Sequence, residues 1–426
     1  MGEGVLTRGF VRHDGALWSE GVPLETIARD AGTPTYVYAA GIIRDQYARL
    51  DKALEAVPHR IHYSAKANSS RAILSLLREL GAGVDIVSGG ELYRASRAGF
   101  TGGDIVFSGP GKTAAELAEA LDAGVLLINV ESEGELRLLD SIAQGRGIQA
   151  PVAIRVNPEV EVDTPHPYTR TGEKGKKFGI PIDEALSAAR LALRLPNVML
   201  RGLDMHIGSQ VTHVEPYVAG ITRLLELYDA LRHDAPELRY LDIGGGLAVT
   251  YESELATDLA GFADGVLPPI AASGLTLIME PGRFFVGNAG VLLARVLYRK
   301  RSGGRDVLIT DAAMTDLLRP SHYNAYHAIE SVRPHGRQGV FDIVGPVCES
   351  GDFFALERRT DEMAPGDLLA IRSAGAYGFV MSSTYNSRPR PAEVLVDGER
   401  WAIVTEREDY ADLVRREPEQ PSWRTA

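Results

Sequence analysis

Short apolar runs alternate with longer amphipathic stretches over the first two thirds of the chain. The amphipathic stretches carry apolar residues at three- and four-residue spacing, which is typical of helices that bury one face. The first of them, at 41–57, precedes all the apolar runs. The apolar runs have the length and composition of buried strands. Eight are present, at about residues 60–64, 84–87, 105–108, 125–130, 152–156, 202–207, 239–243 and 276–280.

This alternation predicts a (β/α)8 TIM barrel, in which eight parallel strands are each followed by a helix. The helix at 41–57 would then fill the ring position that no helix after the eighth strand occupies. A doubly wound open sheet is the alternative. Three of the helices are predicted to open with a capping box, a Ser or Thr followed three residues later by Glu. These pairs are Ser88/Glu91, Thr113/Glu116 and Ser132/Glu135.

The pattern changes after Gly282. Five runs there are typical of strands separated by Gly, Pro and Asp turns. They lie at 291–297, 306–309, 339–344, 368–371 and 393–396. We therefore predict a second, mainly β domain of barrel or sandwich form. The barrel is expected at 34–281, and the β domain at 1–33 together with 282–426.

Composition limits the function more than the fold. The chain of 426 residues is long enough for a barrel of roughly 250 residues and a second domain. Its net charge of −12 argues against nucleic-acid binding. No apolar run is long enough to predict a membrane span, and the first residues lack the core of a secretory signal. The single cysteine, Cys348, excludes an internal disulfide and metal sites with several thiolates, so no metal and a cytoplasmic location are expected.

Polar residues collect at the predicted carboxyl ends of the strands, where barrel enzymes carry their chemistry. They are Lys66, Asp85, Ser108, Arg155, His206, Gly244–Gly246, Glu280 and Arg283. Lys66 lies between two alanines at a strand-to-helix junction. A lysine in partly apolar surroundings has a lowered pKa and can act as an amine nucleophile in Schiff-base chemistry. A solvated surface charge is the ordinary alternative, but the convergence of these residues at one rim favours a functional site.

Three of these features, and Cys348 in the predicted β domain, have both a functional and an ordinary interpretation. The glycine triplet at 244–246 could bring backbone N–H groups to the phosphate of a small cofactor, or form a flexible turn; it matches neither a Walker A loop nor the dinucleotide fingerprint. Glu280 could keep a pyridinium nitrogen protonated, or form a rim ion pair. His206 could lie on an aromatic cofactor ring, or be a core histidine. Cys348, in a loop rich in Gly and Pro, could donate a proton, or be an inert thiol.

A long polar connection at 159–178 follows the fifth predicted strand. It contains His166, Arg170, Lys174, Lys176 and Lys177. Connections of this length are uncommon unless they are functional or mobile. An exposed surface loop and a lid over the barrel mouth are both compatible with its composition.

Six segments lie in a characteristic order between about residues 30 and 400. They are Tyr63–Asn68, His206–Gln210, Gly244–Gly246, Glu280–Arg283, Cys348–Asp352 and Gly375–Gly378. Together they resemble the motifs of the diaminopimelate decarboxylase family, which belongs to the alanine-racemase-like, fold type III pyridoxal-phosphate enzymes. The resemblance implies pyridoxal 5'-phosphate as cofactor and a homodimer with shared active sites. The implied reaction converts meso-2,6-diaminopimelate to L-lysine and CO2, the last step of lysine biosynthesis.

The resemblance also implies a role for each motif residue. Lys66 would hold the cofactor as a Schiff base, His206 would stack on its ring, and Glu280 would pair with the pyridine nitrogen. The implied cofactor ligands are Lys66, Asp85, His206, Ser209, Gly244, Gly245, Gly246, Glu280, Gly282, Arg283 and Tyr377. The implied substrate ligands are Arg283, Arg319, Tyr323, Glu349 and Tyr377. Lys66, His206 and Cys348 would be catalytic; Cys348 would donate the proton, and it and Glu349 would reach in from the partner subunit.

The sequence leaves related functions open. A decarboxylase acting on ornithine, arginine or a carboxylated polyamine is one alternative, and a non-catalytic pyridoxal-phosphate-binding homologue is another. Arg283 and Arg319 favour a substrate with a second carboxylate, because a guanidinium fork matches a carboxylate in two places. The pair of Lys66 and Cys348 favours catalysis. The sequence departs from the family at Ala248, where glycine is common, and in the lid variant at 170–174.

Overall fold

The computed structural model describes residues 9–162, 164, 166 and 171–425. They form two compact units: one spans Ala40–Asn288, and the other combines segments that precede and follow it. None of the helices in the described ranges has both the length and the apolar character needed to cross a membrane.

The first unit is a closed barrel of eight parallel strands. In chain order they are His59–Ser64, Gly83–Ile86, Ile105–Phe107, Leu127–Val130, Ala150–Asn157, Val198–Met205, Tyr240–Asp242 and Thr276–Met279. Each strand pairs with the next, and the last pairs with the first, Met279 lying opposite Ile61. The predicted (β/α)8 barrel is confirmed, and its closure excludes the doubly wound sheet.

Helices surround the barrel in the expected order. They are Ala40–Leu54, Arg71–Glu79, Gly89–Arg97, Ala114–Ala123, Glu133–Gln144, Ile182–Arg194, Glu215–Leu231, Leu259–Ser273 and the short Arg283–Val286. The first, Ala40–Leu54, contacts both Leu259–Ser273 and Arg71–Glu79. It therefore fills the ring position left after the eighth strand, as its place in the sequence predicts.

The three predicted capping boxes differ in detail. All three Ser or Thr side chains accept a hydrogen bond from the glutamate backbone N–H three residues later. Only Glu116 among the three glutamates bonds back to its own capping residue, Thr113. Glu91 instead accepts from the backbone N–H of Val87, and Glu135 from that of Glu131. These two carboxylates therefore fix the residue that precedes the capping serine.

Lys112 is an almost fully buried cation between two barrel helices. Its Nζ donates to the backbone oxygens of Gly109 and Asn129 at 2.7 and 2.8 Å and to Glu135 Oε1 at 2.7 Å. Its side chain is 1% exposed. Removing one partner of a buried pair leaves the other charge uncompensated. We expect Lys112→Ala to lower the free energy of unfolding of the barrel by about 3 kcal/mol. A urea titration followed by circular dichroism measures this free energy.

Lys52→Ala is the matched control for this stability measurement. Lys52 Nζ lies 2.6 Å from Glu55 Oε2, but the two side chains are 74% and 60% exposed. Exposed pairs contribute about 1 kcal/mol or less. Equal losses from the two variants would contradict the importance of burial at Lys112.

The second unit is mainly β. Neighbouring strands of its large sheet follow the order Phe353–Asp361, Gln338–Val344, Arg305–Thr310, Gly290–Ser302, Thr35–Ala39, Ala392–Asp397 and Arg400–Thr405. Two further strands branch from this order: Leu368–Ile371 pairs with Gly290–Ser302 and also with Ile329–Ser331. A small sheet is formed by Phe10–His13, Ala16–Ser19 and Val22–Pro23. Its helices are Leu24–Asp30, Arg319–Tyr323 and Tyr410–Val414. All five strands predicted after Gly282 are present, and the β-rich character of this part is confirmed.

The two units divide slightly later than the boundaries predicted at 34 and 282. Thr35–Ala39 belongs to the β unit because it pairs with Gly290–Ser302 on one side and with Ala392–Asp397 on the other. Arg283–Val286 belongs to the barrel unit, where it packs against Ala40–Leu54. Strand pairing between distant segments decides the first position and helix packing decides the second, and a local hydrophobic pattern reports neither.

Candidate active site

Lys66 lies at the barrel rim with a fixed partner. It is in the short 3-10 turn Ala65–Ala67, directly after the first barrel strand. Its Nζ is 2.9 Å from Asp85 Oδ2, and Ser64 Oγ donates to the same oxygen at 2.5 Å. Ser64 and Asp85 lie opposite each other on adjacent strands. The register of these two strands therefore places a buried carboxylate beside a partly exposed amine.

His206 is a half-buried, neutral imidazole at the same rim. The backbone N–H of Gly245 donates to its Nδ1 at 3.2 Å, so the ring hydrogen lies on Nε2. Burial, with Lys66 and Arg155 nearby, holds the pKa of His206 well below its usual value. A Cβ on Gly244 would lie 2.6 Å from this Nδ1. Glycine at 244 thus leaves space for the ring.

The glycine triplet is packed between strand ends. A Cβ on Gly245 would lie 2.2 Å from the backbone oxygen of Glu280, and one on Gly246 would lie 2.5 Å from that of Gly208. Gly246 also has φ +104, a conformation that side chains disfavour. Close packing therefore requires glycine at all three positions. The triplet is not simply a flexible, exposed turn.

Arg283 joins the glycine triplet region to Ser209. Its guanidinium donates to Ser209 Oγ at 3.1 Å and to the Tyr251 hydroxyl at 2.6 Å. Gly282 precedes it, and a Cβ there would lie 3.0 Å from Ser64 Cβ and 2.9 Å from Ala67 Cβ. Tyr251 was not predicted from the sequence, because it lies in an irregular segment after the triplet with no motif of its own.

Glu280 is a buried carboxyl with two side-chain donors. Ser108 Oγ and Asn129 Nδ2 donate to its Oε1 at 3.2 and 3.3 Å. Burial, followed by the nearby Asp85 carboxylate, raises the pKa of Glu280 to about 7. Asn129 was not singled out in the sequence, although an asparagine inside the apolar run Leu127–Val130 was a usable signal.

Arg155 is a buried cation that pairs with two carboxyl groups near the rim, Glu131 and Asp204. Its Nη1 is 2.7 Å from Glu131 Oε1, and its Nε is 3.7 Å from Asp204 Oδ2. The other Glu131 oxygen accepts from the backbone N–H of Gly179. Glu131 is a further residue that the sequence did not reveal, since it follows a strand without belonging to a motif.

The connection at 159–178 contacts the rim where it is described. Thr171 Oγ1 donates to the His206 backbone oxygen at 3.0 Å, and the Gly172 N–H donates to that of Ile207 at 3.2 Å. Arg170 of the predicted lid lies outside the described residues. The lid interpretation stays a prediction.

The other predicted site residues belong to the β unit. Arg319 begins the helix Arg319–Tyr323 and is buried; its guanidinium is 3.1 Å from His327 Nε2. The His327 Nδ1 lies 2.7 Å from the Arg372 backbone oxygen, so it carries the ring hydrogen and Nε2 accepts from Arg319. Tyr323 closes the same helix. Tyr377 has φ 55, a left-handed conformation that is uncommon for a tyrosine.

Cys348 and Glu349 lie on a loop that is tied down from both sides. Both are exposed. The backbone N–H of Cys348 donates to Asn386 Oδ1 at 2.8 Å. The Asp352 carboxylate accepts from the backbone N–H groups of Val347 and Met314, each at 2.6 Å. Asp352 and Asn386 therefore fix the backbone on which the thiol stands, a role that the sequence did not indicate.

The barrel rim thus combines four chemical capabilities. It offers a primary amine, a neutral imidazole, a buried carboxyl group and a backbone turn whose close packing accepts glycine alone. An amine can form a Schiff base with an aldehyde, and a carboxylate can pair with a protonated ring nitrogen. Backbone N–H groups in such a turn can bind a phosphate. This donor set fits an aromatic aldehyde that carries a ring nitrogen and a phosphate.

Comparison with known proteins identifies a family that binds an aldehyde of this kind. Residues 40–287 match the family described as pyridoxal-dependent decarboxylase, pyridoxal binding domain. The match covers almost the whole barrel unit. The chain is therefore a pyridoxal-dependent decarboxylase, and its barrel has the fold type III arrangement.

Full-length relatives define the family more narrowly. The chain is 47% identical to diaminopimelate decarboxylase of Pseudomonas aeruginosa, over 95% of this chain and 97% of that one. The enzyme of Helicobacter pylori, solved in complex with L-lysine, has a TM-score of 0.89 at 40% identity, covering 92% of this chain and 99% of that one. The diaminopimelate decarboxylase of M. jannaschii, also solved with L-lysine, has a TM-score of 0.92 at 34% identity, covering 98% of this chain and 99% of that one. The chain belongs to the diaminopimelate decarboxylase family.

Proposed function

We propose that this protein removes CO2 from meso-2,6-diaminopimelate and releases L-lysine, the last step of lysine biosynthesis. The observation that carries the proposal is the convergence of Lys66, His206, Glu280 and the glycine triplet at one barrel rim. The relatives that carry the name diaminopimelate decarboxylase cover nearly the whole chain. Three of the similar structures contain L-lysine, the compound proposed here as product.

Pyridoxal phosphate supplies an electron sink for the carbon that loses CO2. Lys66 would hold this cofactor covalently, with Asp85 beside its Nζ. Neutral His206 would lie against the ring, and Glu280 would face the ring nitrogen. The phosphate ligands would come from Ser209, the glycine triplet, Gly282 and Arg283, and the family resemblance adds Tyr377. The barrel-rim donor set described above fits the amine, ring and phosphate contacts.

The substrate has two ends, and different residues would bind each. Arg319 and Arg283 would bind the distal carboxylate, together with Tyr323, Tyr377 and Glu349. His327 keeps the Arg319 guanidinium in place through its Nε2. Cys348 would give its proton to the carbon that has lost CO2. Its exposed position on a tied loop suits a group that must reach a bound substrate.

The proposal includes a homodimer in which each site is completed by Cys348 and Glu349 of the partner subunit. The support is the exposure of both residues on one loop, together with the family resemblance. The cytoplasm is the proposed location, because a lone exposed thiol stays reduced there.

CO2 release from four amino acids tests the substrate. We expect meso-diaminopimelate to have a kcat/KM at least about 100-fold above ornithine, arginine and lysine, because the others leave the distal carboxylate site unpaired. Arg319→Met should raise KM for diaminopimelate by about tenfold or more, since it removes a charge-assisted contact. Arg400→Met, at an 84% exposed arginine, is the matched control. A preference for ornithine or arginine would overturn the proposal.

A further inference from the structure

Three buried carboxyl groups meet below the candidate cofactor site. Asp204, Asp242 and Glu280 come from three consecutive barrel strands, and the register places Asp204 directly opposite Asp242. They are 1%, 0% and 5% exposed. One oxygen of each lies within 4.8 Å of the others. Three like charges this close in a buried position repel strongly, so they cannot all be ionised.

Their hydrogen bonds leave two oxygens without a donor. Glu280 Oε1 accepts from Ser108 and Asn129. Asp242 Oδ1 accepts from the Gly244 N–H at 2.9 Å. Among the described residues, no N–H or O–H group reaches Asp242 Oδ2 or Asp204 Oδ1. One oxygen of Asp242 nevertheless lies within 4.8 Å of one of Glu280. Two carboxyl groups can share a hydrogen bond only when one of them carries a proton.

We propose that Asp242 is a neutral carboxylic acid in the folded protein and that its Oδ2–H donates to Glu280. Asp242 is thus a positioning residue, which keeps Glu280 in the carboxylate form. That Glu280 faces the cofactor nitrogen rests on the proposed function; the protonation of Asp242 does not.

The neighbours decide which of the three carries the proton. Asp204 Oδ2 lies near the Arg155 guanidinium, which favours an ionised Asp204. Glu280 has two side-chain donors, which favour its carboxylate. Asp242 has no basic group within ion-pair distance among the residues described, and only a backbone N–H donates to it. Of the three groups, Asp242 therefore gives up the least electrostatic stabilisation when it is protonated.

The charged groups around the cluster agree with this assignment. Lys66, Asp85, Arg155 and Glu131 are the other charges that act on the cluster, and His206 is neutral. Burial, with Glu280 nearby, raises the pKa of both Asp242 and Asp204 well above the usual value, but the Arg155 guanidinium opposes this rise at Asp204. The bond from Asp242 lowers the pKa of Glu280, which burial alone would raise further. A protonated Glu280 would present no charge to a ring nitrogen, so the bond maintains the anion that the site needs.

Infrared spectroscopy of the cofactor-free protein tests the proposal directly. A protonated carboxylic acid has a carbonyl stretching band that a carboxylate lacks. At about pH 8.5, groups with a pKa near 7, such as Glu91, Glu280 and Asp316, are mostly ionised. We expect wild-type protein to keep a carboxylic-acid band at this pH, and Asp242→Asn to lose it. Asp204→Asn should keep it.

The outcomes separate this inference from the proposed function. Absence of the band in wild type, or its loss in Asp204→Asn and retention in Asp242→Asn, would overturn the inference even in an active decarboxylase. A band that behaves as expected in a protein without decarboxylase activity would support the inference and contradict the proposed function. Because the wild-type spectrum is itself decisive, a variant that fails to fold does not remove the test.

A conservative variant distinguishes positioning from mere packing. Asparagine at 242 keeps an acceptor for Gly244 and offers an amide N–H to Glu280, whereas alanine removes both. We expect the Glu280 titration, followed by the same infrared band, to move to higher pH in Asp242→Ala and to stay near about 7 in Asp242→Asn. Similar titrations in the two variants would show that the bond does not act on Glu280.

Discussion

Lys66→Ala is expected to abolish decarboxylation, lowering kcat by about 10,000-fold or more. Removing a covalent-catalysis nucleophile typically costs this much, because the remaining contacts bind but cannot carry the reaction. The variant should also lose the visible absorbance that pyridoxal phosphate has when it is joined to a lysine. The measurement is a spectrum of the purified, cofactor-loaded protein together with an assay of CO2 release.

The structure also indicates how Lys66→Ala must be controlled. Asp85 loses its Nζ partner at 2.9 Å but keeps the hydrogen bond from Ser64, so a modest loss of stability is expected beside the loss of activity. Circular dichroism reports whether the barrel is intact. Lys52→Ala removes an exposed lysine and should keep both spectrum and activity. An unchanged visible spectrum in folded Lys66→Ala would disprove that Lys66 holds the cofactor.

The sequence predicted the barrel because its strands are short, apolar and evenly interrupted by amphipathic helices. The strand Val198–Met205 was predicted only from residue 202, because Arg201 and Gly202 interrupt its apolar run. In the β unit, Phe353–Asp361 was missed because its second half contains Glu357, Arg358 and Arg359 and is partly exposed. Apolar runs report burial, so half-exposed strands escape them.

The candidate site, too, could be predicted only where a local sequence pattern marks its residues. Motif residues could be named because each lies at a predicted strand end, and strand ends of a barrel share one rim. Residues that act through others had no such marker: Asn129 and Glu131 lie near a strand end without a motif, and Asp352 and Asn386 act by accepting backbone hydrogen bonds. Which side chain accepts which N–H depends on the folded backbone. These hydrogen-bond partners therefore cannot be predicted from the sequence alone.

A second large effect is expected at Cys348. Cys348→Ala should lower kcat by about 100- to 10,000-fold, because a positioned proton donor typically contributes that much. The fold should be unaffected, since the Cys348 side chain is exposed and its loop is tied through backbone N–H groups. Cys348→Ser separates the acidity of the thiol from the space it fills. It should also be strongly impaired, because a hydroxyl is a much weaker acid.

Mixing two inactive variants tests whether each site is shared between subunits. In a dimer of Lys66→Ala and Cys348→Ala chains, one site lacks both groups and the other is intact. Random mixing of equal amounts makes half of the dimers mixed, so about a quarter of wild-type activity should return in a symmetric homodimer. Lys66→Ala mixed with His206→Ala is the control: both residues lie in the barrel unit, so no site is complete and no activity should return. If differently tagged chains purify together as mixed dimers but the first mixture stays inactive, the proton donor acts within its own subunit.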